Sequence, residues 1–85
     1  MNTDLHPRHL DSARSAILNR FLEHNTPPNG IAKFPAFFDL SNQYRGGYFV
    51  AALQQLANEG CIEIGTGRFI RLTRQGYEAA RELER

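Results

Sequence analysis

The chain has few of the features that mark secreted, membrane-bound or highly charged proteins. Its 85 residues include one cysteine, Cys61, so no internal disulfide can form and a disulfide-stabilised secreted scaffold is excluded. No apolar run approaches the roughly 18 residues of a membrane-spanning helix, and residues 1–10 lack the apolar segment of a signal peptide. We therefore expect a cytoplasmic protein with no membrane contact.

The chain also has little net charge. Ten Lys and Arg residues face nine Asp and Glu residues, for a formal net charge of +1, which excludes a bulk polycation of the histone kind. Apolar residues make up 41%, a globular rather than a disordered composition. The length corresponds to one domain. Residues 1–9 contain Pro7 and no apolar periodicity, so we expect a flexible leader there and a single domain over 10–85.

The first regular element is predicted to be a helix over 11–24. Apolar residues recur at helical spacing from Leu10 onwards, and Asp11 or Ser12 can cap the start. Residues 25–30 contain paired prolines and an Asn-Gly step, so the helix must end before them. The next three residues, 31–33, could form a short strand.

A short helix is predicted to begin at Pro35, because proline suits the first turn of a helix. Phenylalanine occupies three of the five positions in 34–38, and we expect these rings in the core rather than at a ligand site. Ser41 could cap a helix that continues through Gly46 and Gly47. We prefer to place both glycines in a turn, where their backbone freedom costs less.

A longer helix over 47–59 follows, and Gly60 suits its left-handed C-terminal cap. Residues 61–72 then predict a β-hairpin. Pairing Ile64 with Ile70 and Ile62 with Leu72 puts four aliphatic side chains on one face and leaves Glu63 opposite Arg71 on the other. This register needs a three-residue loop over 66–68.

Thr73 is predicted to cap a last helix, whose apolar stripe contains Tyr77, Ala80 and Leu83. The predicted order is long helix, possible strand, short helix, turn, helix, hairpin and helix. This order indicates an α+β, mostly α fold of the winged helix-turn-helix type, with a three-helix core, a β-hairpin wing and a C-terminal helix.

Two motifs strengthen this interpretation. They are Leu53-Gln-Gln-Leu-Ala-Asn-Glu-Gly-Cys-Ile and, after it, Ile70-Arg-Leu-Thr-Arg-Gln-Gly-Tyr-Glu-Ala. Together these motifs resemble those of winged-helix transcriptional regulators of the MarR- and PadR-like groups. The resemblance covers about residues 34–83. It implies that helix 47–59 is the recognition helix, that residues 45–48 point at the major groove, and that Arg68 and Arg71 lie on the wing. The start Arg-Gly-Gly-Tyr and Ala51 differ from the usual polar side chains of such a helix.

The distribution of charge supports a nucleic-acid partner. Residues 40–58 and 64–77 contain no acid, and together they hold four arginines, which we expect to be unopposed. Hydrogen-bonding side chains and the glycine of the turn complete the predicted DNA-binding set: Gln43, Tyr44, Arg45, Gly47, Tyr48, Gln55, Arg68, Arg71 and Arg74. Alternatively the arginines are ordinary solvated residues, with Arg71 paired to Glu63, and the two tyrosines lie at the edge of the core.

Enzymatic chemistry is not indicated. The spacing of His6, His9, His24 and Cys61 matches no zinc pattern, and the Gly-x-Gly at 65–67 lies in a hairpin turn rather than between a strand and a helix. We expect no catalytic residue, no metal, no cofactor and no small-molecule substrate.

The sequence therefore predicts a small transcriptional regulator that binds double-stranded DNA as a homodimer. The dimer contact could come from the first helix, the last helix or the apolar 34–38 cluster. The alternative is a winged-helix module for protein–protein interaction that does not bind DNA.

Overall fold

The computed structural model describes residues 6–67 and 69–83. Within these residues the chain is α+β and mostly helical, with four α-helices and one three-stranded antiparallel sheet. The elements follow one another as α1 (Pro7–Glu23), β1 (Ile31–Lys33), a 3-10 turn (Phe34–Phe37), α2 (Phe38–Gln43), α3 (Tyr48–Asn58), β2 (Ile62–Ile64), β3 (Phe69–Leu72) and α4 (Arg74–Leu83). No helix in the described part is long and apolar enough to cross a membrane.

Helix α1 begins at Pro7, four residues before the predicted start, so residues 7–9 are helical rather than part of a leader. The predicted caps Asp11 and Ser12 lie inside the helix, and the cap is His6, whose Nδ1 accepts a hydrogen bond from Arg8 N at 3.3 Å. Proline is favoured at this position because it needs no helical N–H partner and its φ is already helical. Residues 1–5 of the predicted leader lie outside the described residues.

The buried side of α1 forms the centre of the core. Ala13, Ile17 and Phe21 recur at helical spacing and are fully buried, and α1 packs mainly against α3 and α4. The core also takes side chains from α2, α3, the sheet and α4: Leu40, Phe49, Ala52, Leu53, Leu56, Ile62, Ile70, Leu72 and Ala80.

The sheet has the order β1-β3-β2. The predicted hairpin register is confirmed, with Ile64 opposite Ile70 and Glu63 opposite Arg71. The possible strand at 31–33 is confirmed as β1, which pairs antiparallel with β3. Ile64 remains about half exposed, unlike the other three aliphatic residues of its face.

Gly46 and Gly47 lie in the turn between α2 and α3, as predicted. Gly46 and Gly47 have φ angles of +74° and +91°, and α3 begins immediately afterwards at Tyr48. Gly60 has a φ of +82° just beyond α3, as its predicted C-terminal cap requires. The predicted cap of α4 is also confirmed, because Thr73 Oγ1 accepts a hydrogen bond from Gly76 N at 3.0 Å.

The phenylalanines of 34–38 do not all lie in the core. Phe37 is fully buried against Phe21, and Phe34 is half-buried with its ring edge-on to Phe49. Phe38 is 52% exposed, so the expectation that all three rings lie in the core is wrong for this residue. The 3-10 turn changes the rotation of the chain before α2 begins, and Phe38 falls on its outer side.

Candidate functional site

Helices α1 and α3 pack with their N-termini at the same end. At that end Tyr48 Oη accepts a hydrogen bond from His6 N at 2.8 Å, and the Tyr48 ring lies edge-on to His9, with 5.6 Å between ring centroids. Farther along, Arg14 Nη1 donates to Gln55 Oε1 at 2.9 Å and to Glu59 Oε2 at 2.6 Å. Contacts therefore advance in the same direction along both helices, and the two helix dipoles are oriented alike.

This arrangement gathers positive charge at one end of the molecule. Each helix N-terminus carries the equivalent of about half a positive charge. The exposed residues at this end also include two arginines, Arg8 and Arg45. We define the N-terminal surface as His6, Arg8, His9, Arg45 and Gly47.

Side chains in the α2–α3 turn contribute unequally to this surface. Gln43 is exposed at the end of α2, whereas Tyr44 is half-buried against the core. Arg45 is exposed, and its Nε donates to Asn42 O at 3.1 Å, which anchors the guanidinium beside the turn. A Cβ at Gly47 would meet no described atom within 4 Å, so the approach to the start of α3 is open in this part of the chain.

The outward side of α3 adjoins the N-terminal surface and carries no charge. Phe49, Leu53 and Leu56 turn into the core, so the opposite side of the helix presents Val50, Ala51, Gln54 and Asn58. An uncharged helix can still contact base edges, through amide hydrogen bonds and through apolar contact with thymine methyl groups.

Two of the predicted DNA-binding side chains point towards α1 instead. Gln55 accepts a hydrogen bond from Arg14 in a partly buried position, and Tyr48 accepts one from His6 N. The alternative of an aromatic at the edge of the core fits Tyr44, which packs against the core, whereas Tyr48 contacts His6 and His9. Gln55 and Tyr48 position α3 against α1 and lie off its outward side.

The arginines predicted on the hairpin and after it are not unopposed. Arg71 lies 3.3 Å from Glu63 across the β2–β3 pair, as the alternative interpretation had it, and Arg74 Nε lies 3.8 Å from Glu78 Oε2 one turn along α4. Glu63 and Glu78 lie just outside the acid-free stretches of the sequence, but in the folded chain they are adjacent to Arg71 and Arg74. The expectation of four unopposed arginines is therefore wrong for these two, and Arg68 lies outside the described residues.

Arg74 is also far from the N-terminal surface. The hydroxyl of Thr73 donates to the carbonyl of Gly60, so α4 begins beside the end of α3. Eleven helical residues at about 1.5 Å each separate that end of α3 from Tyr48. The structure thus brings together Gln43, Arg45 and Gly47 of the predicted set.

Three residues of this surface were missed by the sequence analysis: His6, Arg8 and His9. They fall in the predicted leader because Pro7 is also typical of irregular chain. The same proline could have indicated the helix start, because proline is favoured at the first helical position. The residue before it, His6, has a side chain that can accept a capping hydrogen bond.

Other chemistry is sparse in the described residues. They contain no group of three or more His, Cys, Asp or Glu side chains placed to hold a metal ion. Cys61 is buried at the start of β2, and burial, with the nearby Glu59 carboxylate, raises the pKa of its thiol. A thiol in this setting has little thiolate character and is a weak nucleophile.

Comparison of the chain with protein-family models, curated proteins and solved structures returned no match.

Proposed function

We propose that the chain is a winged-helix protein that binds double-stranded DNA and acts as a small transcriptional regulator. The order helix, strand, helix, turn, helix, two-stranded hairpin and helix supports this proposal, as does the antiparallel sheet of order β1-β3-β2. The observation that carries it is the meeting of two helix N-termini and two exposed arginines beside the outward side of α3.

The N-terminal surface suits contact with the DNA backbone. Backbone N–H groups at a helix N-terminus favour phosphate oxygens, and arginine binds them with paired hydrogen bonds. In the proposed complex Arg8 approaches one phosphate from the start of α1, and Arg45 approaches another from the start of α3. These contacts fix the position of α3 without reading the sequence.

Base contacts then fall to the outward side of α3. Gln54 can bond an adenine edge with both groups of its amide, and Val50 and Ala51 can pack on thymine methyl groups. Gln43 can reach a phosphate or a base edge from the end of α2. Because cations are few, we expect moderate affinity that depends on salt less steeply than that of a strongly basic protein. For two to four phosphate contacts, log K should fall with log salt at a slope of about −2 to −4.

Titration of a fluorescent duplex of random sequence at several salt concentrations tests the proposal. We expect binding at low salt that weakens as salt rises, and a loss of affinity of about tenfold when Arg8→Ala and Arg45→Ala are combined. Arg74→Ala combined with Arg81→Ala removes two charges of the same type from α4, away from the N-terminal surface, so this variant serves as the matched control and should lose much less.

Two results would contradict the proposal. One is the absence of any affinity for duplex DNA at low salt. The other is an equal loss of affinity in the control that combines Arg74→Ala and Arg81→Ala, which would indicate that only total charge matters.

The uncharged α3 favours a second candidate function, a winged-helix module for protein–protein interaction without DNA binding. The same titration separates the two candidates, because such a module has no salt-dependent affinity for the random duplex.

A further inference from the structure

An apolar surface surrounds the hairpin, away from the residues assigned to DNA. Six large hydrophobic side chains are exposed in the described part of the chain, and four of them lie together: Ile31, Phe38, Ile64 and Phe69. We define these four as the hairpin patch. Single exposed hydrophobic residues are ordinary, but a contiguous group on a small protein indicates a contact surface.

Two grooves join these side chains into one surface. The first groove, between α2 and the hairpin, is lined by Phe34, Phe38, Ile64, Gly65 and Phe69. The second groove runs along the outer side of the sheet past Ile31, Arg71 and Phe69, and Ile64 of the edge strand lines it from the other face. Ile64 and Phe69 line both grooves and form the centre of the patch.

The edge of the hairpin patch carries charges of both signs. Glu63 and Arg71 face each other across the β2–β3 pair and line the second groove beside Ile31, and Lys33 is exposed opposite Phe69 in β1. A contact between two copies related by a two-fold axis requires a surface that contains its own complement. An apolar centre bordered by adjacent acidic and basic side chains meets this requirement, because each carboxylate can face a guanidinium of the other copy.

The size of the patch also suits a second copy. The exposed portions of its four side chains amount to about 400 Å², roughly half of what each partner contributes to a standard interface of about 800 Å² per side. The charged border supplies further area. We propose that the hairpin patch is the self-association surface of this chain, with Ile64 and Phe69 at its centre and Glu63 of one copy beside Arg71 of the other.

This proposal does not depend on DNA binding, and it assigns Arg71 to the contact between copies. Sedimentation equilibrium of the purified chain over a wide range of concentrations measures it directly. We expect a reversible monomer–dimer equilibrium with a dissociation constant in the micromolar range, as expected for a small, partly polar interface.

Variants of exposed residues identify the surface used. Phe38→Asp and Ile64→Asp should each raise the dimer dissociation constant about tenfold or more, because each buries an unpaired carboxylate in an apolar contact. Leu83→Asp is the matched control, because Leu83 is about as exposed but lies at the end of α4. Far-UV circular dichroism of each variant confirms that the chain is folded.

A mixing experiment tests the proposed pairing of charges. Glu63→Arg and Arg71→Glu should each dimerise poorly alone, because like charges then face each other. An equimolar mixture of the two variants should restore dimers, since opposite charges meet again across the interface. If the substitutions weakened the dimer only by breaking the Glu63–Arg71 pair within each chain, mixing the two variants would not restore it.

The proposal is overturned if the chain stays monomeric at all concentrations, which would leave the patch to a different protein. It is also overturned if Leu83→Asp disrupts the dimer while Phe38→Asp and Ile64→Asp do not, because the contact would then lie on α4. Failure of the mixture to associate better than either variant alone contradicts the charge pairing.

Discussion

At the scale of single residues, Thr73 joins the start of α4 to the end of α3. Its backbone N–H donates to the carbonyl of Cys61 at 3.0 Å, and its hydroxyl lies 2.6 Å from the carbonyl oxygen of Gly60 and 2.9 Å from that of Cys61. The same hydroxyl oxygen accepts a hydrogen bond from Gly76 N. Thr73 therefore caps α4 with its hydroxyl oxygen, and its hydroxyl and backbone hydrogens satisfy carbonyl groups that follow α3 and lack partners within that helix.

Gly76 is required by lack of space. A Cβ at this position would overlap the carbonyl oxygen of Cys61 and lie 3.0 Å from Leu72 Cδ1. Because the obstructing atom belongs to the backbone, it cannot move aside as a flexible side chain would. We expect Gly76→Ala to lower the free energy of unfolding by about 2–3 kcal/mol, measured by urea denaturation.

Gly65→Ala provides the control for that substitution. A Cβ at Gly65 would lie 3.8 Å from Phe69 O, an ordinary contact, so the free energy of unfolding should change by no more than about 0.5 kcal/mol. If both variants lost similar stability, the steric explanation for Gly76 would be wrong.

At the scale of elements, local patterns predicted the hairpin and missed features that depend on distant residues. Register follows from alternation, because a shift of one residue would turn Ile62 and Leu72 away from the core. The Gly46–Gly47 turn follows from backbone conformation. Exposure of Phe38 depends on how the 3-10 turn rotates the chain, and no local period encodes that rotation.

Charge pairing shows most clearly how features of the fold differ from what a count along the sequence predicts. Counted along the sequence, 64–77 contains no acid, yet in space Glu63 lies across the strand from Arg71 and Glu78 follows Arg74 by one helical turn. Such neighbours can be found from the sequence once register and helical spacing are applied to charged residues as well as to apolar ones. Arg14 and Glu59 are 45 positions apart, and their contact requires the packing of α1 on α3.

Arg20 links α1 to α2 through a two-point contact with Asp39. Nη1 donates to Asp39 Oδ1 at 2.7 Å and Nη2 donates to Oδ2 at 2.8 Å, while Nη1 also donates to Ala36 O at 2.6 Å. These hydrogen bonds favour the ionised carboxylate and lower the pKa of Asp39 from 3.8 to about 2. The contact holds α2, and with it the turn that leads to α3.

We expect this contact to make stability depend on acid. The pKa of Asp39 is lower in the folded chain than in the unfolded chain, so its contribution is present above about pH 4 and is lost as the pH falls towards 2. The midpoint of thermal unfolding should therefore fall over this range, and Asp39→Asn should reduce that fall. Glu78→Gln, which alters the longer 3.8 Å contact with Arg74, is the control. Parallel pH profiles for Asp39→Asn and the unmodified chain would contradict this account.

At the scale of the whole molecule, the fold is compact, and both proposed functions lie on its surface. The radius of gyration is 12.1 Å, close to the value of about 12 Å for a fully compact chain of this length, so the interior is occupied by the core. The N-terminal surface and the hairpin patch share no residue. One chain can therefore carry a phosphate-binding surface and a self-association surface that act at the same time.

If both proposals hold, a dimer offers two N-terminal surfaces to one duplex. Binding of the first surface raises the effective concentration of the second, so a duplex long enough for both should bind about 100-fold more tightly than one that holds a single copy. Phe38→Asp should abolish that gain and leave affinity for the short duplex unchanged, whereas Arg8→Ala with Arg45→Ala should weaken binding to both duplexes. Fluorescence anisotropy of the unmodified chain and both variants with the two duplexes, at one salt concentration, measures all six affinities. Equal loss on both duplexes for Phe38→Asp would show instead that the hairpin patch itself contacts DNA.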